Sequence, residues 1–420
     1  MISVFTPVHK TSAPFLLDAY KGMMSQTYTD WEWVICLNNG GYIDEAIKDP
    51  RIKVISIEDV EHYSIGRLKK FCCDNAKGEI LVELDADDIL TPDALGSILA
   101  AFQDEKVQMV YSNSAAFDDG TWKASTFSEY WGWRSRPFIF EGHPLLETIA
   151  WEPSVQMMRR IEWAPDHVRC WRTSAYKELG GHDPEIKAGD DHDLCCRTYL
   201  TYGQAGFKHI DQCLYLYRLH PFNSSKTYNA DVQAQTDKNY CKYSRDMATK
   251  WAFDNGLRCL DLGGQFNKWD HYETVDLMNA DIIMDLDEEH WNLPDNSVGV
   301  IKAYHIFEHL KDPINAMNEA FRVLAPGGFL FIEVPSADGR GAFQDPTHKS
   351  FWNQNSIWYY TDQNFARFIQ PRYKGKFQKA RVATFYPGQF EKDNEIPYLQ
   401  ADLICLKAPY TNRPVGEVLI

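Results

Sequence analysis

The chain has 420 residues, 44% of them hydrophobic and 24% charged, which is the composition of a globular protein with two or three domains and excludes a disordered tail or a fibre. Its formal charge of −16 excludes a protein that coats nucleic acid, because phosphate binding needs a net positive surface. Aromatic residues reach 14%, with 13 Trp, 22 Tyr and 23 Phe, an excess that wants an explanation. The first hundred residues alternate strand and helix signals. Residues 2–7 are a short apolar run, and Ser12 followed by Pro14 reads as a cap and an early helical proline. Strands follow at 31–37, closed by the turn Asn38-Asn39-Gly40-Gly41, then at 51–57 and 79–84. Thr91-Pro92-Asp93 opens another helix. The alternation predicts an α/β fold with a mostly parallel, doubly wound sheet.

From Trp122 to Trp171 the periodicity breaks down, and this stretch holds six of the Trp together with Arg134, Arg136, Arg159 and Arg160. Residues 213–219 read as a strand and 231–250 as a polar helix. A second series then starts: strands at 257–262, 273–276, 282–285 and 298–304, a helix ending near Val323, a strand at 329–334, and weaker signals at 372–379 and 401–406. The restart puts a boundary near Asn255 and divides the chain into residues 1–250 and 251–420. Apolar runs such as Phe329-Leu330-Phe331-Ile332 are strand-sized, so no transmembrane segment is expected, and the N-terminus reads as a strand rather than a secretory signal. The ten cysteines include no C-x-x-C, and reduced thiols in a cytoplasmic protein are expected, with room for contact with a membrane from outside.

Ligands of an open parallel sheet bind beyond the carboxyl ends of its strands, where Asp85-Ala86-Asp87-Asp88 falls. Alternate carboxylates there can share a hard divalent cation that bridges two phosphates; an acidic turn that only caps the next helix would look the same. The order of Ile2-Ser3-Val4-Phe5-Thr6-Pro7-Val8, Gln26-Thr27-Tyr28 before Trp31-Glu32-Trp33-Val34, the run from Ala76 to Asp88, Gly189-Asp190-Asp191-His192-Asp193-Leu194 and Tyr217-Arg218-Leu219-His220 closely resembles glycosyltransferase family 2, which is inverting and has the GT-A fold. The resemblance runs from Met1 to about Lys226. It implies transfer of a sugar from a UDP- or GDP-linked donor to a glycan or lipid-linked acceptor held by residues of about 120–230, with Mn²⁺ or Mg²⁺ as cofactor. By the same resemblance Thr6 and Pro7 cradle the nucleotide and Asn38 and Asn39 stand where an Asp pair contacts the base, an amide offering a donor where a carboxylate only accepts. Lys69 or Lys70 falls near the family's Arg. Asp85 lies at the ribose and Asp87 at the metal, with Asp88 able to exchange with Asp87, and His220 approaches the metal or the phosphates. Asp191 is the base that takes the acceptor proton, although Asp190 or Asp193 would serve equally as a helix cap. The aromatic excess then has a use in stacking on sugar faces, with Trp131, Trp133 and Trp171 as candidates against plain packing.

In the second half Cys259-Leu260-Asp261-Leu262-Gly263-Gly264 is a strand running into a glycine turn, and Asp276 ends the next strand. With Ile283-Met284-Asp285-Leu286, Tyr304-His305-Ile306-Phe307-Glu308-His309-Leu310 and Arg322-Val323-Leu324-Ala325-Pro326-Gly327-Gly328, the series resembles the class I, Rossmann-like S-adenosylmethionine-dependent methyltransferases over roughly residues 257–362. The resemblance implies S-adenosylmethionine as cofactor, with Gly263 and Gly264 at its methionine end, Asp276 at the ribose and Asp285 and Leu286 near the adenine. The family's later glycines are missing, since Gln265-Phe266-Asn267 follows. O-methylation of the glycan would draw on His305, Glu308 or His348 as base; the lost glycines equally suit a non-catalytic module that docks the acceptor. His305-x-x-Glu308-His309 also spells a zinc-peptidase signature, but that motif needs both histidines on one helix face, and His305 directly follows a predicted strand.

Overall fold

The computed structural model describes residues 1–58, 64–127, 129, 133–159, 165, 167–264 and 268–408, without the side chains of 224 and 225. Contacts divide the chain into two compact units, Met1–Ser244 and Arg245–Ile420. The division falls inside the helix Asn229–Asp254, ahead of the boundary expected near Asn255.

The first unit contains strands β1 (Ile2–Val8), β2 (Trp31–Leu37), β3 (Ile52–Ser56), β4 (Ile80–Glu83), β5 (Ile89–Leu90), β6 (Met109–Asp118), β7 (Ala124–Ser125), β8 (Ser135–Phe140), β9 (His143–Thr148), β10 (Arg169–Arg172) and β11 (Phe207–Leu219). Their main order is β3-β2-β1-β4-β10-β6-β11-β5. The first four strands are parallel, as the βα alternation requires. β1 and β4 are buried along almost their whole length, so they read as continuous apolar runs rather than as an alternation. β10 then departs from the sequence expectation: it inserts antiparallel between β4 and β6, pairing Cys170 with Val82 on one side and with Val110 on the other. Its four residues lie at the end of the Trp-rich stretch, too short to register as a period.

Two local expectations change. Ser12 makes no side-chain cap; its hydroxyl bonds back to His9, and a short 3₁₀ turn precedes the helix Leu16–Met24. The helix read from Thr91 starts at Ala94, with Asp93 taking the Thr91 hydroxyl instead of capping.

The second unit holds β12 (Arg258–Leu262), β13 (Glu273–Asp276), β14 (Ile282–Ile283), β15 (Val298–Tyr304), β16 (Leu324–Pro335), β17 (Phe377–Phe385) and β18 (Tyr398–Cys405), in the order β14-β13-β12-β15-β16-β18-β17. The first five in that order are parallel and the last two antiparallel. The helix Pro313–Val323 starts with proline at its first turn, capped by Asp312, whose carboxylate accepts from Asn315 N. The basic stretch at 372–379 reaches the sheet only from Phe377; Arg372 pairs with Asp312 instead. Among the described residues no helix is long and apolar enough to cross a membrane. All ten cysteines are unbridged, nine of them buried.

Leu330 is fully buried at the centre of the second sheet, between β15 and β18. Leu330→Ala should cost about 2–5 kcal/mol, read as a lower urea midpoint of the transition that reports this unit.

Candidate functional site

The carboxyl ends of β1, β2 and β4 lie along one edge of the first sheet, and the acid turn follows β4 directly. Asp85, Asp87 and Asp88 each bring one carboxylate oxygen within 4.8 Å of the others. β11 closes the site from the far side of the sequence: His220 Nε2 lies 2.7 Å from Asp87 Oδ2, although 133 residues separate them. Phe222 N donates to His220 Nδ1, which places the imidazole proton on Nε2, facing Asp87. In this arrangement His220 donates to the Asp87 carboxylate. Asp88 stands deeper in the turn. It is buried, with Oδ2 accepting from Tyr215 OH at 2.8 Å and Oδ1 from Arg218 N at 2.8 Å, so both oxygens are engaged in tying β11 to the turn. Burial pushes its carboxyl well above the usual range, with Asp87 and Asp85 adding to the effect. Tyr215 also accepts from Asp85 N, and the Arg218 guanidinium reaches the Asp87 carbonyl, Asp119 and Asp18. Asp85 and Asp87 are the less buried of the three carboxylates. Removal from water lifts Asp85 to about 7, against the pull of Lys69 and with a push from Glu83 and Asp87.

The other expected residues divide between surface and core. Thr6 is fully buried, its hydroxyl accepting from Trp33 Nε1 at 2.8 Å, so its side chain ties β1 to β2. Pro7 and Asn39 are partly exposed at the strand ends, Asn39 with a positive φ of 47°, while Asn38 is buried and bonds its backbone N to Val8 O. Lys69 is buried as well, with Nζ 2.7 Å from Glu83 Oε1 and 3.5 Å from Asp190 Oδ2, and therefore does not reach a nucleotide from where it stands. Lys70 faces outward, paired with Asp74.

Arg169, on β10, completes this buried cluster. Its guanidinium grips both oxygens of Glu83, at 3.1 and 2.9 Å, and contacts Asp191 Oδ2. Asp191 Oδ1 accepts from His192 N in the first turn of the helix Asp190–Tyr202, where three acidic residues face the positive helix end. Burial opposes ionisation of Asp191, but Arg169 and Lys69 outweigh it and hold the carboxyl down at about 2. Asp190, deeper and without a hydrogen bond to Oδ2, is pushed up to about 6 by burial, with Lys69 pulling the other way. Asp193 pairs with Arg197 and accepts from Tyr243 OH, which leaves it a structural part. Among the aromatic candidates Trp171 is fully buried against Tyr176 and His182, and so packs rather than binds a sugar. Trp133 is partly exposed, stacked on Phe127 and edge-on to Trp151; Trp131 and Arg160 lie outside the described residues.

In the second unit Gly263 and Asp276 meet at adjacent strand ends: Leu262 is in register with Val275, and Gly263 N donates to Val275 O at 2.8 Å. Gly263 has a φ of +72°, and a Cβ there would come within 2.6 Å of Ile306. Gly264 wraps closely over the Asp261 carboxylate, which pairs with the buried Lys302 at 2.9 Å. Asp276 Oδ1 accepts from Leu277 N, Asp285 Oδ1 accepts from Asp287 N, and Leu286 belongs to the core. His305 follows β15 with a φ of +55°, and Phe307–His309 is a 3₁₀ turn, so the peptidase geometry of two histidines on one helix face is absent from this segment.

The model of Glycosyl transferase family 2 matches residues 3–164, and a model described as a methyltransferase domain matches residues 232–373. The chain joins a glycosyltransferase family 2 domain to a methyltransferase domain. The O-antigen biosynthesis protein RfbC of Myxococcus xanthus is 25% identical over 228 residues, which are 51% of this chain and 16% of that protein. A Mycolicibacterium smegmatis protein named "Probable S-adenosylmethionine-dependent methyltransferase" is 38% identical over 60 residues, 13% of this chain and 23% of that protein. The chain spans 16 to 30% of the lengths of the first curated relatives it matches. Among solved structures, Staphylococcus aureus TarS 1-349 in complex with UDP-GlcNAc covers 61% of this chain and 74% of its own, at 12% identity and a TM-score of 0.40.

In the glycosyltransferase domain sequence reasoning missed Glu83, Arg169 and Tyr215. A charged residue inside the apolar run Val168-Arg169-Cys170-Trp171 was the available signal, because a buried charge needs a partner. The raised carboxyl of Asp190 has a consequence for stability. In the unfolded chain Asp titrates near 3.9 and here at about 6, so stability that is full below about pH 4 is lost as pH rises to about 6. Asp190→Asn should therefore gain on the wild type as pH rises through that window and level off above it, measured as the difference in urea midpoint.

Proposed function

We propose that the first domain transfers a sugar, with inversion, from a nucleotide diphosphate donor to a polysaccharide or lipid-linked acceptor. The observation that carries this reading is the meeting of Asp87 with His220 beside Asp85, at the carboxyl end of the central parallel strand. Asp85 and Asp87 would hold a divalent cation, Mn²⁺ or Mg²⁺, whose charge offsets that of the departing diphosphate. His220, with its proton on Nε2, holds Asp87 Oδ2 and is suited to a phosphate oxygen. Pro7, Asn38 and Asn39 form the rim on which the nucleotide would rest.

Asp191 is the proposed base. Its carboxylate has lone pairs beyond those used by Arg169 and His192 N, so an acceptor hydroxyl can still donate to it. A carboxyl held near 2 takes that proton only late, as the hydroxyl acidifies on bonding to the anomeric carbon. Arg169 therefore keeps the base ionised and oriented while setting when it acts. The name of the relative RfbC, which refers to O-antigen biosynthesis, supports a bacterial-type surface polysaccharide as the product class.

For the second domain we propose S-adenosylmethionine binding at Gly263, Gly264, Asp276 and Asp285, and O-methylation of the same glycan. Asp276 beside the glycine turn fits the two ribose hydroxyls. The bound cofactor supplies an electrophilic methyl group. His305, 44% exposed, with Glu308 Oε1 at 3.5 Å and Glu333 Oε1 at 3.7 Å, is the residue placed to take the hydroxyl proton. The cytoplasm, where both donors are made, is the compartment this pairing of activities suits.

Asp87→Ala should abolish transfer in a screen of UDP- and GDP-sugars with Mn²⁺; an unchanged rate would remove the cation from Asp87. Asp191→Asn should retain donor binding by calorimetry but lose about 10²–10⁴ in kcat. Calorimetry with S-adenosylmethionine should show binding that Asp276→Ala weakens, and no binding to the wild type would leave the second domain as a docking module.

A further inference from the structure

Among the described residues three groups of side chains bring ligand atoms within 4.8 Å of one another. Two belong to the glycosyltransferase domain, and one of these, Glu83 with Asp85 and His167, is already supplied with charge by Lys69 and Arg169. The third, Glu308 with His309 and His348, lies in the methyltransferase domain, where the ion-pair partner of Glu308 is the imidazole of His305 rather than a lysine or arginine.

Glu308 is 2% exposed, and neither of its carboxylate oxygens accepts a hydrogen bond from the described residues. The imidazole of His305 stands 3.5 Å from Oε1, a long ion pair that forms only when His305 is protonated and that leaves Oε2 without a partner. A carboxylate buried in this way carries a desolvation cost that only a nearby positive charge can offset. The two histidines are held as ligands would be. His348 Nδ1 lies 2.7 Å from Ala342 O, and because a carbonyl cannot donate, Nδ1 carries the proton and Nε2 the lone pair. Thr347 Oγ1 gives its hydrogen to Asp345 Oδ1 at 2.7 Å, so at 3.1 Å from His309 Nδ1 it must accept, and His309 likewise keeps its lone pair on Nε2. Metal-bound histidines are oriented in this way, through the second nitrogen, by carbonyls and carboxylates outside the ligand shell. The backbone fixes the approach of the two segments: Lys349 N and Ser350 N both donate to Glu308 O, at 2.7 and 3.0 Å.

We propose that Glu308, His309 and His348 bind a divalent cation of the zinc, cobalt or manganese type. Two imidazoles and one carboxylate suit an ion of borderline softness, and three protein ligands leave a coordination position for an oxygen atom. His309 N donates to Ile306 O, and the Ile306 side chain packs on Gly263, so the cluster belongs to the segment that lies against the glycine turn. The partial zinc-peptidase spelling is thereby resolved differently: His309 and Glu308 serve, His348 replaces His305, and His305 stays available as a base. The cation site stands on this geometry whether or not the proposed methylation occurs.

Cobalt(II) titration of the metal-stripped full-length chain tests this, because four- or five-coordinate cobalt absorbs strongly in the visible, where the six-coordinate aqua ion absorbs only weakly. The wild type and Asp87→Ala should both show the band. His348→Gln and Glu308→Gln should lose it, and Thr347→Val, which removes the acceptor behind His309 together with the hydrogen bond to Asp345, should weaken binding by about ten- to a hundredfold. Any variant whose circular dichroism departs from that of the wild type is replaced by His309→Asn. A wild type without the band, or folded Glu308→Gln and His348→Gln that keep it, overturns the proposal.

Discussion

Two cations converge on one carboxylate inside the first sheet. Glu83 is fully buried at the end of β4, and Lys69 and Arg169 reach it from a helix and from an antiparallel strand. Burial pushes the Glu83 carboxyl up, yet the two cations hold it well below the usual range. An isolated charge at this depth would not be tolerated, so each member fixes the position of the others. The candidate site inherits its geometry from this arrangement. Arg169 reaches Asp191 directly and Lys69 stands 3.5 Å from Asp190, and the two acids at the helix start differ because burial prevails at Asp190 while the cations prevail at Asp191. Neighbouring carboxyls thus differ by several pH units without any difference in residue type.

The acid turn is tied by a second, neutral set of bonds. Asp88 takes Tyr215 OH and Arg218 N, and Tyr215 takes Asp85 N, so the turn is pinned at two points to one strand. Asp87 is left between them with His220 as its partner. The methyltransferase domain repeats the logic with fewer parts, setting the Asp261–Lys302 pair beneath the glycine turn. In both domains, buried ion pairs below the strand ends hold the backbone that a ligand would meet above them.

The parallel strands of both sheets were legible in the sequence because a strand buried on both faces is a continuous apolar run, and a helix between two such runs leaves little choice of topology. β10 was not legible, since four residues carry no period and its pairing joins segments far apart in the chain. The acidic motifs located the site, but which oxygen faces a ligand depends on long-range partners. Asp88 and Asp87 are chemically alike in sequence, and only Tyr215 and Arg218 separate them. The partners of Thr6 and Lys69 were equally hidden, since nothing local shows that Trp33 or Glu83 holds their side chains. The Trp excess proved to be largely packing where it is described, as at Trp122, stacked between Phe117 and His143, and at Trp171.

The insertion of β10 also sets an order of events during synthesis. The strands β3, β2, β1 and β4 can pair as soon as they leave the ribosome, but β4 then presents an open edge until Cys170 arrives to pair with Val82. Over the same interval Glu83 has Lys69 alone for company, because its second cation lies on the strand still missing. A half-sheet without β10 would keep an unpaired edge and an incompletely neutralised charge, and bringing β10 home closes a long loop at a cost in chain entropy.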